Sequence, residues 1–503
     1  MTTTLRPAVL PARTFHTTGI EGLDYVLGGG FTPDQIYLLE GVPGSGKTTL
    51  ALQFLLEGLR RGESVLYVTL SESEAELRAV AVSHGWSLDG VVIRELMPSV
   101  DSLRPDDQYT MFHPSEVELA ETTKAILSDV ERVRPTRLVF DSLSELRLLA
   151  GNPLRYRRQI LALKQFFTGK HCTVLLLDDM TSTNHDLQVQ SIAHGVVRLE
   201  QLYPEYGAER RRMIVLKYRG IRFRGGYHDF IIRQGGVDVF PRLVASEGRQ
   251  ETPAERMPSG ITQLDTLIGG GIEGGTSTLF IGAAGTGKSS IATQFVASAA
   301  ARGQSAALFI FDESTNTLLT RSAGLGIDLE RHVVSGRVKI RQVDPAELSP
   351  GELAHSIRQA VEVDHASIVV IDSLNGYLNA MPGERFLIIQ LHELLTYLGK
   401  AGVATLLVAA HQGLIGSHMT SPVDASYLAD AVVLLRYFET NGEVRQAISV
   451  VKKRGGAHER TIRDFKLTAR GVQIGEPLRK FRGVLTGTPV PIEDKQTALR
   501  YPD

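Results

Sequence analysis

Two glycine-rich segments of the chain have the residue types and spacing that bind phosphate. Residues 41–48 read GVPGSGKT and residues 282–289 read GAAGTGKS, so both fit the pattern G-x-x-x-x-G-K-[ST] in full. In such a loop the backbone N–H groups wrap the phosphates, the lysine reaches the β- and γ-phosphates, and the Ser or Thr hydroxyl holds Mg²⁺. The pattern predicts two sites for Mg²⁺ with ATP or GTP, whose nucleotide-binding residues are Gly44, Ser45, Gly46, Lys47, Thr48 and Thr49 in the first, and Gly285, Thr286, Gly287, Lys288, Ser289 and Ser290 in the second.

Carboxylates that could hold the metal end a strand in each half of the chain. Asp141 and Asp372 each close an apolar run, RLVFD and IVVID. A Walker B acid sits at this position and holds magnesium together with the loop hydroxyl, here Thr48 or Ser289. The alternative for both aspartates is a turn or helix-capping role.

Acids that could act on the attacking water follow another strand. Ser71-Glu72 comes after the run 65–70, and Asp312-Glu313 stands at the equivalent place in the second half. Hydrolysis needs a group that orients or deprotonates water. Glu72, Asp312 and Glu313 are therefore the candidate catalytic residues, and a solvated surface is the alternative reading.

These motifs sit on an internal repeat. The segment TGIEGLDYVLGGGF at 18–31 recurs as SGITQLDTLIGGGI at 259–272. Short β-branched runs alternate with longer helical patterns, which is typical of a mostly parallel sheet covered by helices; examples are 65–70, 138–140 and 173–177 for strands and 48–60 and 116–133 for helices. Because 503 residues exceed one core of roughly 250–300, we predict an α/β chain with two tandem RecA-like P-loop NTPase domains, each a mostly parallel sheet flanked by helices.

The composition narrows the class of protein. Lys and Arg number 54 and Asp and Glu 56, so the basic excess usual in duplex-DNA binders is missing. The single cysteine, Cys172, excludes an internal disulfide and a multi-thiolate zinc site. No apolar run approaches the roughly 20 residues that span a bilayer, and residues 1–13 lack the apolar stretch of a signal peptide. These features predict a cytoplasmic protein with no membrane partner.

In combination the motifs resemble the KaiC family, the tandem ATPases and autokinases of bacterial circadian clocks. The double phosphate loop, the repeated lead-in and the K-x-R-G segments at 217–220 and 452–455 carry this resemblance over roughly residues 15–489. It implies a homo-oligomer, a hexameric double ring with ATP between neighbouring subunits. It also implies slow ATP hydrolysis in the N-terminal ring and phosphate transfer to its own side chains in the C-terminal ring.

The resemblance divides the chain into parts with expected roles. These are an extension (1–14), a first RecA-like ATPase domain (15–245), a polar linker (246–256), a second RecA-like autokinase domain (257–484) and a short tail (485–503). The residues expected to reach the nucleotide of the next subunit are Lys217, Arg219, Lys452, Arg454 and His458.

The chain departs from the family pattern at two places. The family has two adjacent glutamates after the second strand of each domain, the first of them the base, whereas this chain has Ser71-Glu72 and Asp312-Glu313. First-domain hydrolysis is therefore expected to be slower or to depend on Glu72 alone. The family's Ser-Thr phosphoacceptor pair, just before the strand 430–435, is Ser426-Tyr427 here. Ser426 is the expected acceptor and Tyr427 the second candidate.

Partners and rival functions follow from the same residues. The short tail argues against a KaiA-like partner, and the resemblance leaves room for a KaiB-like one. A RecA/RadA-like DNA-dependent ATPase is the main alternative, supported by a basic segment with Arg147, Arg155, Arg157 and Arg158. Nucleic acid is not the expected partner, because the second repeat is barely basic there and no aromatic–basic stacking platform is evident. A nucleotide-sensing scaffold without hydrolysis is the third reading.

Overall fold

The computed structural model of the protein describes residues 14–96, 114–180, 187–245, 255–379, 386–411, 425–486 and 489–492. The chain forms two compact units, Met1–Arg242 and Leu243–Asp503. The predicted linker lies mostly outside the described residues, and its last residue, Arg256, begins a short strand of the second unit.

The first unit alternates strands and helices before it ends in a run of strands. Its helices and strands, in chain order, are α1 Glu21–Leu27, β1 Ile36–Gly41, α2 Lys47–Arg60, β2 Val65–Thr69, α3 Glu74–Ser83, β3 Val92–Glu95, α4 Pro114–Val133, β4 Arg137–Asp141, α5 Leu143–Ala150, α6 Pro153–Phe167, β5 Thr173–Asp178, α7 Leu187–Ile192, β6 Gly195–Leu202, β7 Arg210–Tyr218, β8 Tyr227–Arg233 and β9 Gly236–Phe240.

The nine strands of this unit form one sheet in the order β3-β2-β4-β5-β1-β6-β7-β8-β9. Strands β3 to β6 in that order are parallel, whereas β7, β8 and β9 add antiparallel. Apolar side chains fill both faces: α1, α2 and α3 cover one cluster, and α4, α5 and α6 cover the other. Helices on both faces of a parallel sheet leave the carboxyl ends of the central strands open at one edge.

The second unit repeats this plan. Its elements are β10 Arg256–Met257, α8 Thr262–Leu267, β11 Ile272–Glu273, β12 Ser277–Gly282, α9 Lys288–Ala301, β13 Ser305–Ile310, α10 Thr315–Gly324, α11 Leu329–Val334, β14 Val338–Gln342, α12 Pro350–Glu362, β15 Ala366–Asp372, α13 Leu374–Asn379, α14 Leu387–Lys400, β16 Ala404–Ala410, β17 Ala431–Thr440, β18 Glu443–Lys453, β19 Arg463–Thr468, β20 Gly471–Pro477, β21 Phe481–Arg482 and β22 Val490–Pro491.

The main sheet of the second unit has the order β14-β13-β15-β16-β12-β17-β18-β19-β20, which matches the first strand for strand. Strands β14 to β17 in that order are parallel and the rest antiparallel. Two mostly parallel sheets flanked by helices confirm the predicted fold class. Helix α2 begins one residue before the predicted 48, and β5 extends one residue past the predicted 177.

The repeated lead-in segment has a structural role in both units. The Asp24 carboxylate accepts a hydrogen bond from the Thr18 N–H at 2.8 Å, and Asp265 accepts one from the Ser259 N–H at 2.7 Å. Burial raises the pKa of Asp24 to about 6. Each aspartate thus ties the start of its short helix to the chain that enters it. Within the described part of the chain, no helix is long and apolar enough to cross a membrane.

A buried histidine on β8 is held in its neutral form by two hydrogen bonds. His228 is 1% exposed; its Nε2 donates to the Arg224 carbonyl at 3.0 Å, and its Nδ1 accepts the Arg242 N–H at 2.9 Å. Only the neutral ring satisfies both bonds, because a proton on Nδ1 would face another donor. Burial lowers the pKa of His228 to about 4, so the ring stays neutral at neutral pH.

We expect this histidine to cost the first unit stability as the pH falls from about 6.5 to about 4. The unfolded chain binds a proton in that window and the folded chain does not, so the loss reaches about 3 kcal/mol at most. Urea unfolding followed by the fluorescence of Trp86, the chain's one tryptophan, measures it at pH 7.5 and pH 5. His228→Gln should flatten the pH dependence; an equally steep dependence in this variant would contradict the assignment.

Candidate nucleotide sites

Both glycine-rich loops connect the central strand of a sheet to the helix that follows it. Gly44 and Gly46 have φ values of 82° and 99°, and Gly285 and Gly287 have 78° and 95°. A side chain at Gly46 would place its Cβ 2.5 Å from Cδ1 of Ile232, and one at Gly287 would lie 2.8 Å from the Phe465 ring. Only glycine tolerates this backbone without strain. A glycine loop that leads directly into a helix N-terminus is the arrangement that binds phosphate.

The loop lysines are buried at this edge of each sheet. Lys47 and Lys288 are each 6% exposed and begin helices α2 and α9. The Lys47 ammonium donates to the Gly41 carbonyl at 2.7 Å, and Lys288 donates to the Ala283 carbonyl at 2.7 Å. Burial lowers the pKa of Lys288 to about 8, opposed by the charge of Asp372. A buried cation held at the mouth of a glycine loop is suited to bind phosphate.

The residues present fit a triphosphate with a divalent cation. Among the described residues, Ser45 Oγ and Glu72 Oε2 are buried without a hydrogen-bond partner. Both lie on segments that follow strand ends at the loop edge, β1 and β2. A buried polar atom without a partner is costly, so a hydroxyl and a carboxylate left in this way are well placed for a phosphate oxygen and a water.

The strand-ending aspartates adjoin the loop hydroxyls, but through different contacts. The hydroxyl of Tyr67 donates to Asp141 at 2.6 Å and also hydrogen-bonds Thr48. In the second unit Leu308 replaces the tyrosine, and Ser289 hydrogen-bonds Asp372 directly. Burial raises the pKa of Asp141, and it raises that of Asp372 to about 6. Carboxylate and hydroxyl oxygens in this arrangement can hold Mg²⁺.

The candidate catalytic acids differ between the units. Burial, reinforced by Asp141, raises the pKa of Glu72 to about 7. Its counterpart Glu313 is instead paired with Arg321 at 2.6 Å, while Asp312 beside it is exposed. A base works best with a pKa near the operating pH. Glu72 has the properties of a base in the first unit, and in the second the arginine leaves Asp312 as the freer acid.

The K-x-R segments bind backbone carbonyls of their own chain in a pattern that both units share. Lys217 donates to the carbonyls of Gln190 and Ala193, and Lys452 donates to those of Ser426 and Ala429 at 2.7 and 2.8 Å. These cations hold the segment that precedes β6 or β17. In the second unit that segment carries the two predicted phosphoacceptors.

The arginines of these segments make the matching contact one residue later. Arg219 donates to the Ser191 carbonyl and Arg454 to the Tyr427 carbonyl, at 2.7 and 2.8 Å. Arg454 also pairs with Asp430 at 3.3 Å. His458 is half-buried in the loop after β18. The structure therefore accounts for the lysines and arginines within the chain, and their expected contact with a neighbouring nucleotide stays a prediction.

Ser426 and the phosphate loop of its own unit lie at opposite edges of the sheet. The Asp430 N–H donates to the Ser277 carbonyl at 2.9 Å, which places the acceptor segment at the start of β12. The loop follows the end of β12, and the six residues of that strand, at about 3.3 Å each, span roughly 20 Å. Ser426 is half-buried and the Tyr427 side chain is 54% exposed.

The basic segment of the first unit is less available to nucleic acid than its sequence indicated. Arg147 pairs with Asp178 at 2.6 Å and stacks on Tyr156. Its charge therefore serves the interior of the unit, whereas Arg155 and Arg158 are exposed on α6. Among the described residues no group of three or more His, Cys, Asp or Glu side chains could hold a metal ion by itself.

Three residues at these sites escaped the sequence reasoning: Tyr67, Asp179 and Arg321. Tyr67 bonds Asp141, Arg321 engages Glu313, and the Asp179 carboxylate lies 2.9 Å from the Lys47 ammonium. A signal existed, because aligning the two repeats strand by strand shows a different residue type at each of these positions.

Comparison with known proteins agrees with this geometry. A model of the KaiC ATPase family matches residues 16–244 and 257–479, one stretch in each unit. The chain is 28% identical over 482 residues to the circadian clock protein KaiC3 of Synechocystis sp., covering 94% of each chain. It is also 28% identical to the circadian clock oscillator protein KaiC of Parathermosynechococcus lividus over 482 residues, covering 94% of this chain and 88% of that one.

A third relative, the circadian clock oscillator protein KaiC of Thermostichus vulcanus, is 28% identical over 490 residues, which cover 96% of this chain and 93% of the relative. The family model spans both repeats with their phosphate loops, strand-ending aspartates and K-x-R segments. The resemblance seen in the sequence is thereby confirmed, and the chain belongs to the KaiC family of ATPases.

Proposed function

We propose that the protein binds Mg-ATP in both units, hydrolyses it in the first and uses it in the second to phosphorylate Ser426. The observation that carries this proposal is the presence of two complete phosphate loops, each with a strand-ending aspartate linked to its hydroxyl, through Tyr67 in the first unit and directly in the second. Lys47 and Lys288 would bind the phosphates, and Thr48 with Asp141 and Ser289 with Asp372 would hold the metal. Bound Mg²⁺ would neutralise charge on the transferred phosphoryl group.

Within this proposal the two units differ in what receives the phosphoryl group. Glu72, with its pKa near 7 and an unpartnered buried oxygen, would accept a proton from the attacking water in the first unit. In the second, Asp312 would accept the proton of a serine hydroxyl, while Arg321 fixes Glu313. The hydroxyl then attacks the γ-phosphorus and ADP leaves.

We further infer that Ser426 receives phosphate from a neighbouring chain. Its own phosphate loop lies across roughly 20 Å of sheet, and transfer requires contact. A homo-oligomer satisfies this requirement if the sheet edge that carries Ser426 in one subunit (the acceptor edge) meets the sheet edge that carries the phosphate loop in the next (the loop edge). A hexamer is the assembly that the resemblance implies, and Lys217, Arg219, Lys452, Arg454 and His458 would then lie at the interfaces.

The test is a time course of the purified chain with Mg-ATP, read by peptide mass spectrometry and by ADP release. Phosphate on Ser426 together with ADP supports both activities; ADP without a modified residue would leave an ATPase only. The relatives named as circadian clock proteins support a role in clock-like or other signalling.

The first-unit base has its own test. Glu72→Gln, made in a Lys288→Ala background that silences the second unit, should lower ADP release by about a hundredfold or more, because the variant cannot accept the proton. Ser71→Ala is the matched control and should change turnover little. Unchanged ADP release in the Glu72→Gln variant would reject Glu72 as the base.

A further inference from the structure

A second carboxylate reaches the phosphate loop of the first unit from β5. This strand lies between β1, which leads into the loop, and β4, which ends in Asp141. The carboxyl ends of parallel strands meet at one edge of a sheet, so the residue that follows β5 faces the loop. Oδ1 of that residue, Asp179, is 2.9 Å from Nζ of Lys47. A negative charge thus stands at the ammonium that the β- and γ-phosphates need.

The neighbouring contacts hold Asp179 in this position. Its backbone N–H donates to the Ser144 hydroxyl at 3.2 Å. The preceding Asp178 points elsewhere, since Arg147 takes its carboxylate at 2.6 Å and the Met180 N–H donates to it at 3.0 Å. The Asp179 side chain is 27% exposed, and the lysine it meets is 6% exposed. The pair is therefore partly shielded from water. Charge interactions are stronger in such an environment than at a fully exposed surface.

The second unit lacks this carboxylate. Strand register places Ala409 and Ala410 where the first unit has Asp178 and Asp179. Asn375, in the position of Ser144, bonds both backbone groups of Ala410, at 2.7 and 3.0 Å. Among the described residues no carboxylate forms an ion pair with Lys288. The added charge is therefore one feature that separates the first site from the second, besides the contacts of the strand-ending aspartates and of Glu313.

We propose that Asp179 sets the nucleotide preference of the first site, by weakening the binding of a triphosphate relative to a diphosphate. The inference rests on the proposed function of this site as one that binds ATP. A bound γ-phosphoryl group must take Lys47 from Asp179 and then lie close to an unpaired carboxylate. Repulsion between like charges about 4 Å apart lowers the affinity for the triphosphate by about fivefold in water and by several hundredfold in a shielded site. ADP brings no γ-phosphoryl charge and is penalised less.

The experiment measures binding of Mg-ADP and of a slowly hydrolysed Mg-ATP analogue to the full chain in a Lys288→Ala background. We expect Asp179→Asn to tighten binding of the analogue by about tenfold or more and that of ADP by less than about threefold, since the amide keeps the size and removes the charge. An unchanged ratio of the two affinities would overturn the inference. If the variant also lost ATP hydrolysis while the ratio stayed unchanged, Asp179 would be a group that orients water and not one that sets nucleotide preference.

A reciprocal variant tests the same idea in the second site. Ala410→Asp, in a Lys47→Ala background, should weaken binding of the analogue relative to ADP, because it places the carboxylate beside Lys288. If the ratio does not move there either, the proposal fails in both directions. Failure of the parent chain to bind either nucleotide would instead overturn the assignment of the site to ATP, and the inference with it.

Discussion

Replacing Lys288 with alanine should abolish phosphorylation of Ser426, whereas Lys47→Ala should leave it in place. The Lys288 ammonium is buried at the second loop, where it would stabilise charge on the transferred phosphoryl group. Loss of one such preorganised donor slows a reaction by about a hundredfold or more. Peptide mass spectrometry after incubation with Mg-ATP measures the modification, and a native mass of each variant shows whether the assembly survives. Phosphate on Ser426 in Lys288→Ala would contradict the assignment of the kinase to the second unit.

A mixing experiment separates transfer between chains from transfer within one. Lys288→Ala retains the acceptor and lacks the donor site, and Ser426→Ala has the reverse defect. If the acceptor edge of one subunit meets the loop of the next, mixed assemblies of the two should phosphorylate Ser426 on the Lys288→Ala chain. Each variant alone should not. Absence of phosphate in mixed assemblies of confirmed composition would contradict transfer between subunits.

Replacing Arg137 with isoleucine should destabilise the first unit by about 3–5 kcal/mol, the range for breaking a buried ion pair. The Arg137 side chain is wholly buried; it pairs with Glu63 at 2.5 Å and donates to the carbonyls of Thr17 and Phe54 at 2.6 and 2.9 Å. The variant leaves the partly buried Glu63 carboxylate and the carbonyls of Thr17 and Phe54 without the hydrogen-bond donors of Arg137. Urea unfolding followed by Trp86 fluorescence measures the loss.

The second unit supplies a matched control for this prediction. At the positions of Arg137 and Glu63 it has Ile368 and Gln304, and Ile368 packs in the apolar core. The double variant Arg137→Ile/Glu63→Gln should therefore recover roughly 1–2 kcal/mol of the loss, because no charge remains unpaired. If the double variant were no more stable than Arg137→Ile alone, the buried charge of Glu63 would not be the cause.

Much of the fold could be read from the sequence because its signals are local. The runs predicted as strands at 65–70, 138–140 and 173–177 are β2, β4 and β5, and every end agrees within one residue. The phosphate loops are equally local, since glycine spacing alone decides where the backbone turns and the helix begins. Each of these local signals occurs once in each repeat. A pattern found twice at matching positions predicts two copies of one sheet.

The contacts that distinguish the two sites could not be read in this way. Tyr67 and Asp141 lie on β2 and β4, which become neighbours only in the sheet. Lys47 and Asp179 follow β1 and β5, which are also neighbours only in the sheet, and their side chains meet there. The structure shows Lys217 and Lys452 bound to carbonyls before β6 and β17. Their contact with a neighbouring nucleotide, which the family resemblance implies, stays a prediction.

By itself, then, the sequence determined the repeat, the two phosphate loops and the residue types available at each strand end. Strand order decided the rest: β5 lies between β1 and β4, which brings Asp179 to Lys47, and β17 runs parallel to β12, which sends Ser426 to the far edge. Local spacing sets the backbone of a loop, because its hydrogen bonds join residues close in the chain. Which charge faces that loop depends on packing between distant segments, and only the folded sheet defines it.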